Sequence, residues 1–242
     1  MARVEIKMSL KEVMAELVEK GNENNKRVLM RHGAKEPFYG VKVSDLKRIQ
    51  KRVKKDHELA LELYETGNSD AMYLAGLIAD ENRMTKKVLR KWVKGAYWYM
   101  LSEYTVAWIT AESCYGFDLG LEWIEDEDEM IAAAGWSTLA NLVAIKLDKE
   151  LDIKAYAKLL KRVEKQIAKA PNRVRYTMNG FVIAIGSYIE SLNEKAKAVA
   201  KKIGQVEVTM GETACRVPLA TEYIEKVESL KRVGKKKKNA RC

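Results

Sequence analysis

The chain has 242 residues, 47% apolar and 32% charged, which suits a globular protein with a core in one large domain or two small ones. No apolar run reaches the ~18 residues of a membrane span, and "MARVEIKMSLKEV" lacks the apolar centre of a signal peptide. The net charge of +10 points to an anionic partner, but residues 231–242, "KRVGKKKKNARC", hold seven basic residues, leaving the preceding body at only +3.

The elements read as helices in chain order. "SLKE", Ser9 to Glu12, fits a capping box, and Gly21 is placed to end that helix. "VSDLKRIQKRVKK" offers Ser44 as a cap, with Leu46, Ile49 and Val53 on one face. In "RMTKKVLRKWVKGAYWYM", Met84, Val88, Leu89, Trp92 and Val93 oppose Arg83, Lys87, Arg90 and Lys94. "LDIKAYAKLLKRVEKQIAKA" sets Tyr156, Leu159, Leu160, Val163 and Ile167 against Lys158, Arg162, Lys165 and Lys169. Pro37 and Pro171 stand just before helical patterns. The stretch 205–218, "QVEVTMGETACRVP", alternates weakly and reads as a hairpin or an ordered loop. About eleven to thirteen helices in pairs, repeating roughly every 35 to 45 residues, predict an all-α solenoid of the HEAT type, with a compact bundle as the alternative. The expected organisation is one helical domain over residues 1–230 and a disordered basic tail over 231–242, either a solvated end or a nucleic-acid arm.

Charge is segregated along the body. Asn82 to Trp98 carries six basic residues and no acid, Glu112 to Met130 eight acids and no base, and Lys154 to Arg175 eight bases against one acid. A solenoid could gather the separate basic helices into one phosphate-binding groove. Cys114, Cys215 and Cys242 form neither a disulfide framework nor a zinc pattern and fit a reducing cytosol, so the expected location is cytoplasmic. His32 and His57 are too few for a metal site, and a catalytic Cys–His pair is disfavoured. "DEDEM", Asp126 to Met130, reads as a solvated helix start, since consecutive acids point in different directions. No glycine-rich phosphate loop, Walker motif or dinucleotide fingerprint is present, and no cofactor or metal is expected.

Tyr104, Trp108 and Glu112 in "SEYTVAWITAESC" fall one turn apart, so a carboxylate shares a stripe with two aromatics. It is either a satisfied structural acceptor or a group that steadies positive charge beside a π face. "GWST", Gly135 to Thr138, and "NGFVIAIG", Asn179 to Gly186, mark tight helix packing or close approach of another backbone. "NRVRYTMNGF" presents Arg173 and Arg175 ahead of Phe181, as phosphate plus sugar or base contact, or as ordinary surface with a core Phe.

"PFYGVKVSDLKRIQKRVKK", Pro37 to Lys55, resembles the N-terminal signature of the AlkD-like DNA alkylation repair family: an aromatic-Gly-Val-Lys run and a basic helix. The resemblance runs from about residue 5 to 230. It implies a HEAT-like solenoid binding duplex DNA in a concave basic groove, and the release of cationic N3- and N7-alkylpurines. Trp108 and Glu112 resemble the family's Trp followed four residues later by Asp, with Glu replacing Asp. Phe181 after Gly180 stands where the family has a second Trp, and in "MIAAAGWSTL" Ala132 and Ala133 take the place of its Arg, with Trp136 one turn on. A lengthened carboxylate displaced by ~1 Å costs roughly 10²-fold in rate.

The resulting expectation is a protein that binds double-stranded DNA, alkylated DNA included, through Lys86, Lys87, Arg90, Lys91, Arg173, Arg175 and the tail. Glu112 would serve as the catalytic carboxylate, with Trp108 and Phe181 as walls. The alternatives are a non-catalytic module of the same fold that recognises distorted or branched DNA, and a helical protein-interaction scaffold.

Overall fold

The computed structural model describes residues 7–241. Among them are thirteen α-helices and no β-strand, and the chain divides into two compact units, Met1–Met84 and Thr85–Cys242. This differs from the sequence expectation of one domain to residue 230 followed by a disordered tail. The boundary falls just before the sixth helix, and residues 231–241 pack on the second unit.

The first unit holds α1 (Leu10–Glu19), α2 (Glu23–Arg31), α3 (Val43–Val53), α4 (His57–Glu65) and α5 (Ser69–Ile78). The capping box at Ser9 and Glu12 forms as expected, whereas α3 starts at Lys42 without a side-chain cap, so Ser44 lies inside the helix. All ten residues of α5 are buried, and α1, α3 and α4 pack against it. The buried carboxylate of Asp70 accepts the N–H groups of Tyr39 at 2.6 Å and Gly40 at 3.0 Å. Gly40 has φ 76, and a Cβ there would meet the Asn22 carbonyl oxygen at 2.7 Å. The aromatic-Gly-Val-Lys signature is thus a turn tied to the central helix. Its physical role is to satisfy a buried acid that dehydration pushes upward in pKa against those backbone donors.

The second unit contains α6 (Lys86–Gly95), a π-helical segment (Met100–Val106), α7 (Ala107–Glu112), α8 (Gly116–Trp123), α9 (Glu129–Ile145), α10 (Ile153–Gln166), α11 (Asn172–Tyr188), α12 (Asn193–Ile203) and α13 (Ala220–Ser229). Helices α7, α9, α11 and α13 pack in sequence on one another, forming one row. The middle members, α9 and α11, are 17 residues long and largely buried; α9 is mostly apolar, whereas α11 also buries Arg173, Thr177, Asn179 and Ser187. Gly135 lets α9 approach the end of α8: a Cβ there would sit 2.7 Å from the Ile124 nitrogen. The "GWST" stretch is therefore a packing device, the first of its two sequence readings.

Ion pairs join the intervening helices. Lys86 pairs with Asp118 at 2.9 Å and Arg90 with Glu122 at 2.5 Å, linking α6 to α8. Arg162 of α10 grips Glu125, just beyond α8, and Lys202 of α12 meets Glu164 of α10 at 2.7 Å. Part of the basic charge, Lys86, Arg90 and Arg162, is therefore matched by the acidic stretch 112–130. The 205–218 stretch is an ordered loop without strands, so of the two sequence readings the loop holds.

Candidate nucleic-acid interface

Glu112 ends α7, and its carboxylate is occupied. Oε1 accepts the N–H of Ala240 at 2.7 Å and of Arg241 at 3.2 Å. Oε2 accepts Arg241 Nε at 2.7 Å and the second guanidinium nitrogen at 2.6 Å. The two side chains are only 12% and 9% exposed, so this is a charge-assisted pair, with two guanidinium nitrogens on one oxygen, largely withdrawn from water. Of the two readings of the aromatic–acid stripe, the structure displays a satisfied structural acceptor. Trp108 is buried and meets Tyr104 edge-on at 5.4 Å.

The rest of the tail is fixed by the ends of α9 and α11. The last carbonyls of a helix lack partners within it. Here Gly234 N–H donates to the Ser187 carbonyl at 3.0 Å, and Lys237 N–H to that of Ala144 at 2.7 Å. Lys236 Nζ donates to the carbonyls of Val143 at 2.9 Å and Tyr188 at 2.6 Å, and pairs with Asp148 at 2.7 Å. The sequence predicts a disordered arm because the tail holds seven basic residues and no acid. It is ordered because its donors answer orphan acceptors that sequence patterning does not reveal.

Other expected site residues also lie elsewhere than anticipated. Phe181 is fully buried between Trp136, edge-on at 5.2 Å, and Tyr156, stacked at 6.2 Å, so it is a core residue and not an open wall. Trp136, suggested to fill the place of the missing Arg, is itself fully buried, with the Arg162 guanidinium 5.7 Å above its ring. Arg173 is buried rather than presented to a phosphate. Arg175 is half-buried, with its Nε lacking a partner. Lys86 and Arg90 are spent on acids of α8, while Lys87 and Lys91 project from the exposed side of α6.

Arg173 organises a cluster that the sequence reading missed. Its Nε and terminal nitrogen grip the two oxygens of Glu103 at 2.7 and 2.6 Å. Its guanidinium lies between the rings of Tyr99 and Tyr176, 4.3 and 4.4 Å from their centroids. Tyr99 and Tyr104 meet edge-on at 6.4 Å, extending the aromatic surface to Trp108. Burial pushes the Glu103 carboxyl up to about 7, with Arg173 pulling it back down. Glu103 lies in the π-helical segment, five residues after Trp98. Trp98 lies just ahead of that segment, so helical spacing does not link the two. The only available signal was the unmatched Arg173 seventy residues away.

The two acids beside this aromatic surface, Glu103 and Glu112, are thus each held by an arginine. Comparison with known proteins gives the context. The chain matches the family described as "DNA alkylation repair enzyme" over residues 13–217. It belongs to that family. An uncharacterized protein of Listeria innocua serovar 6a is 35% identical over 214 residues, covering 86% of this chain and 92% of the relative. An uncharacterized protein of Listeria monocytogenes serovar 1/2a matches with the same identity and coverage. A solved structure is 38% identical, with a TM-score of 0.89, and covers 97% of this chain and 100% of its own. It is described as "a new family of proteins related to the HEAT-like repeat DNA glycosylases with affinity for branched DNA structures". The family and the fold expected from the sequence, an AlkD-like member with a HEAT-like all-α architecture, are both upheld.

Proposed function

We propose that the chain is a DNA-binding member of the family that recognises branched DNA and does not excise bases. The observation that carries this reading is the occupancy of both candidate carboxylates. Stabilising an oxocarbenium-like sugar needs an anion free to face it. Glu112 spends all its strong acceptor directions on Ala240 and Arg241, and Glu103 is only 3% exposed beneath Arg173. The likeness to a structure described by affinity for branched DNA favours the same reading. The exposed cations Lys87 and Lys91, and the half-exposed rings of Tyr99, Tyr104 and Tyr176, supply phosphate and base-stacking contacts in this proposal.

The test compares a four-way junction, a plain duplex and a duplex carrying N7-methylguanine. The expected result is preferential junction binding that falls steeply with salt, and no free-base release above buffer. Base release that disappears in Glu112→Gln or Glu103→Gln would overturn the non-catalytic reading. Equal affinity for junction and duplex would overturn the branched specificity.

A further inference from the structure

A cleft of about 420 Å³ opens between the end of α11, one side of α13 and the turn that follows it, a size within the ordinary range of ligand sites. Its lining includes Ser187, Tyr223, Lys226, Arg232, Lys235 and Lys236. Lys231, with φ 52, and Gly234, with φ 76, turn the chain after α13 back over α11 and bring these cations together.

Three features separate this cleft from an ordinary basic surface. First, Lys226, Arg232 and Lys235 make no ion pair or side-chain hydrogen bond among the described residues, whereas Lys86, Arg90, Arg162, Lys197 and Lys202 are all paired. Second, the Ser187 hydroxyl is buried and without a hydrogen-bond partner, although Ser187 lines the cleft. A buried hydroxyl left unmatched costs free energy unless something completes it. Third, the negative end of α11 does not repel an anion here. Gly234 N–H and Lys236 Nζ already cover the Ser187 and Tyr188 carbonyls. The acids beside this turn include Glu190, near Gly234, and Asp148, which is paired with Lys236. The exposed ring of Tyr223 flanks the cations.

We propose that this cleft binds a phosphoryl group, with the Ser187 hydroxyl donating to a phosphate oxygen and Lys226, Arg232 and Lys235 neutralising its charge. The site is separate from the aromatic cluster and stands whether or not the branched-DNA reading holds. Free phosphate and the phosphodiester of a nucleic-acid strand share the chemistry, so the experiment uses both.

The intact chain is titrated with inorganic phosphate and, separately, with a thymidine tetranucleotide, at constant ionic strength, while the backbone amides of Ser187 and Tyr223 are followed by NMR. Saturable shifts at both residues are expected from at least one probe. Response to phosphate alone assigns the site to a free phosphate or monoester. Response to the tetranucleotide alone assigns it to a strand backbone. Lys226→Ala with Lys235→Ala, both exposed and unpaired, should abolish the shifts while leaving the circular dichroism unchanged. Ser187→Ala should weaken binding about tenfold or more, the loss expected for one hydrogen bond to a charged group. No saturable shift with either probe, or shifts that persist in the double variant, would overturn the proposal.

Discussion

The pairing of Glu112 with Arg241 makes a prediction about the tail that does not depend on DNA. In Glu112→Gln the amide oxygen can still accept the N–H groups of Ala240 and Arg241, but the charged contact of Oε2 with the guanidinium is lost. Hydrogen bonds to charged groups contribute ~1.5–3 kcal/mol net. Stranding a charge in a sealed core costs ~3–5 kcal/mol. Arg241 lies outside any helix and is not in a sealed core, so the expected cost is nearer the lower range, about 2 kcal/mol. Since ~1.4 kcal/mol is tenfold, the population with an undocked tail should rise about 30-fold. Trypsin cleavage at Lys235 to Lys238, followed by mass spectrometry under conditions where opening precedes cutting, reads that population directly. A double-mutant cycle with Arg241→Gln should return a coupling above ~1 kcal/mol. Unchanged cleavage in Glu112→Gln, or a coupling near zero, would refute the claim that this carboxylate anchors the tail.

The remaining predictions concern packing, titration and charge. Gly135→Ala should destabilise by ~1–3 kcal/mol because the new Cβ meets backbone at the α8 end, whereas Gly180→Ala, with open space around it in mid-helix, should stabilise by ~0.5–1 kcal/mol. Thermal melts of the two variants check the opposite signs. Glu103 has a folded-state pKa raised from 4.5 to about 7, so the native state binds more protons than the unfolded state between those values. Stability should therefore fall as pH rises through that window, and Glu103→Gln should flatten the decline. A stability difference between wild type and Glu103→Gln that does not vary with pH would refute it. Glu122→Gln releases Arg90 from α8, so junction binding should tighten at low salt and its salt slope should steepen by about one.

The helices were legible in the sequence because most carry their own signals: the capping box at Ser9, the apolar stripe of Leu89, Trp92 and Val93, and Pro171 ahead of α11. Family membership was legible too, though its signature at Tyr39 and Gly40 turned out to bind Asp70 and to hold structure rather than chemistry. The site was less legible for three physical reasons. The partner of Glu103 is Arg173, 70 residues away in the chain, a distance at which no local spacing reveals the pair, which hid Glu103. A basic residue gives no local sign of whether solvent, phosphate or a distant acid will receive it, which misplaced Arg173, Lys86 and Arg90. A strongly basic arm can be held by backbone acceptors, as Lys236 is, and such acceptors exist only once α9 and α11 have ended beside it.

The same facts change what the net charge means for DNA. Counterion release counts cations that phosphates can neutralise, not cations in the composition. Along the ladder from α6 to α12, Lys86, Arg90, Arg162 and Lys202 already face acids, and a phosphate must compete with a neighbour tethered in place. Arg173 and Arg241 are buried against Glu103 and Glu112, and Lys236 is committed to two carbonyls and Asp148. Electrostatic attraction therefore rests on the remaining exposed cations, among them Lys87 on α6, Lys158, Lys161 and Lys165 on α10, and Lys226, Arg232 and Lys235 around the turn after α13. Neutralising Lys87 alone should lower the salt slope of junction binding by about one, while Lys86→Ala should barely move it. Equal changes in the two variants would mean that DNA strips Lys86 from Asp118 on binding, and the ion-pair ladder would then be a reservoir of phosphate contacts rather than a competitor for them.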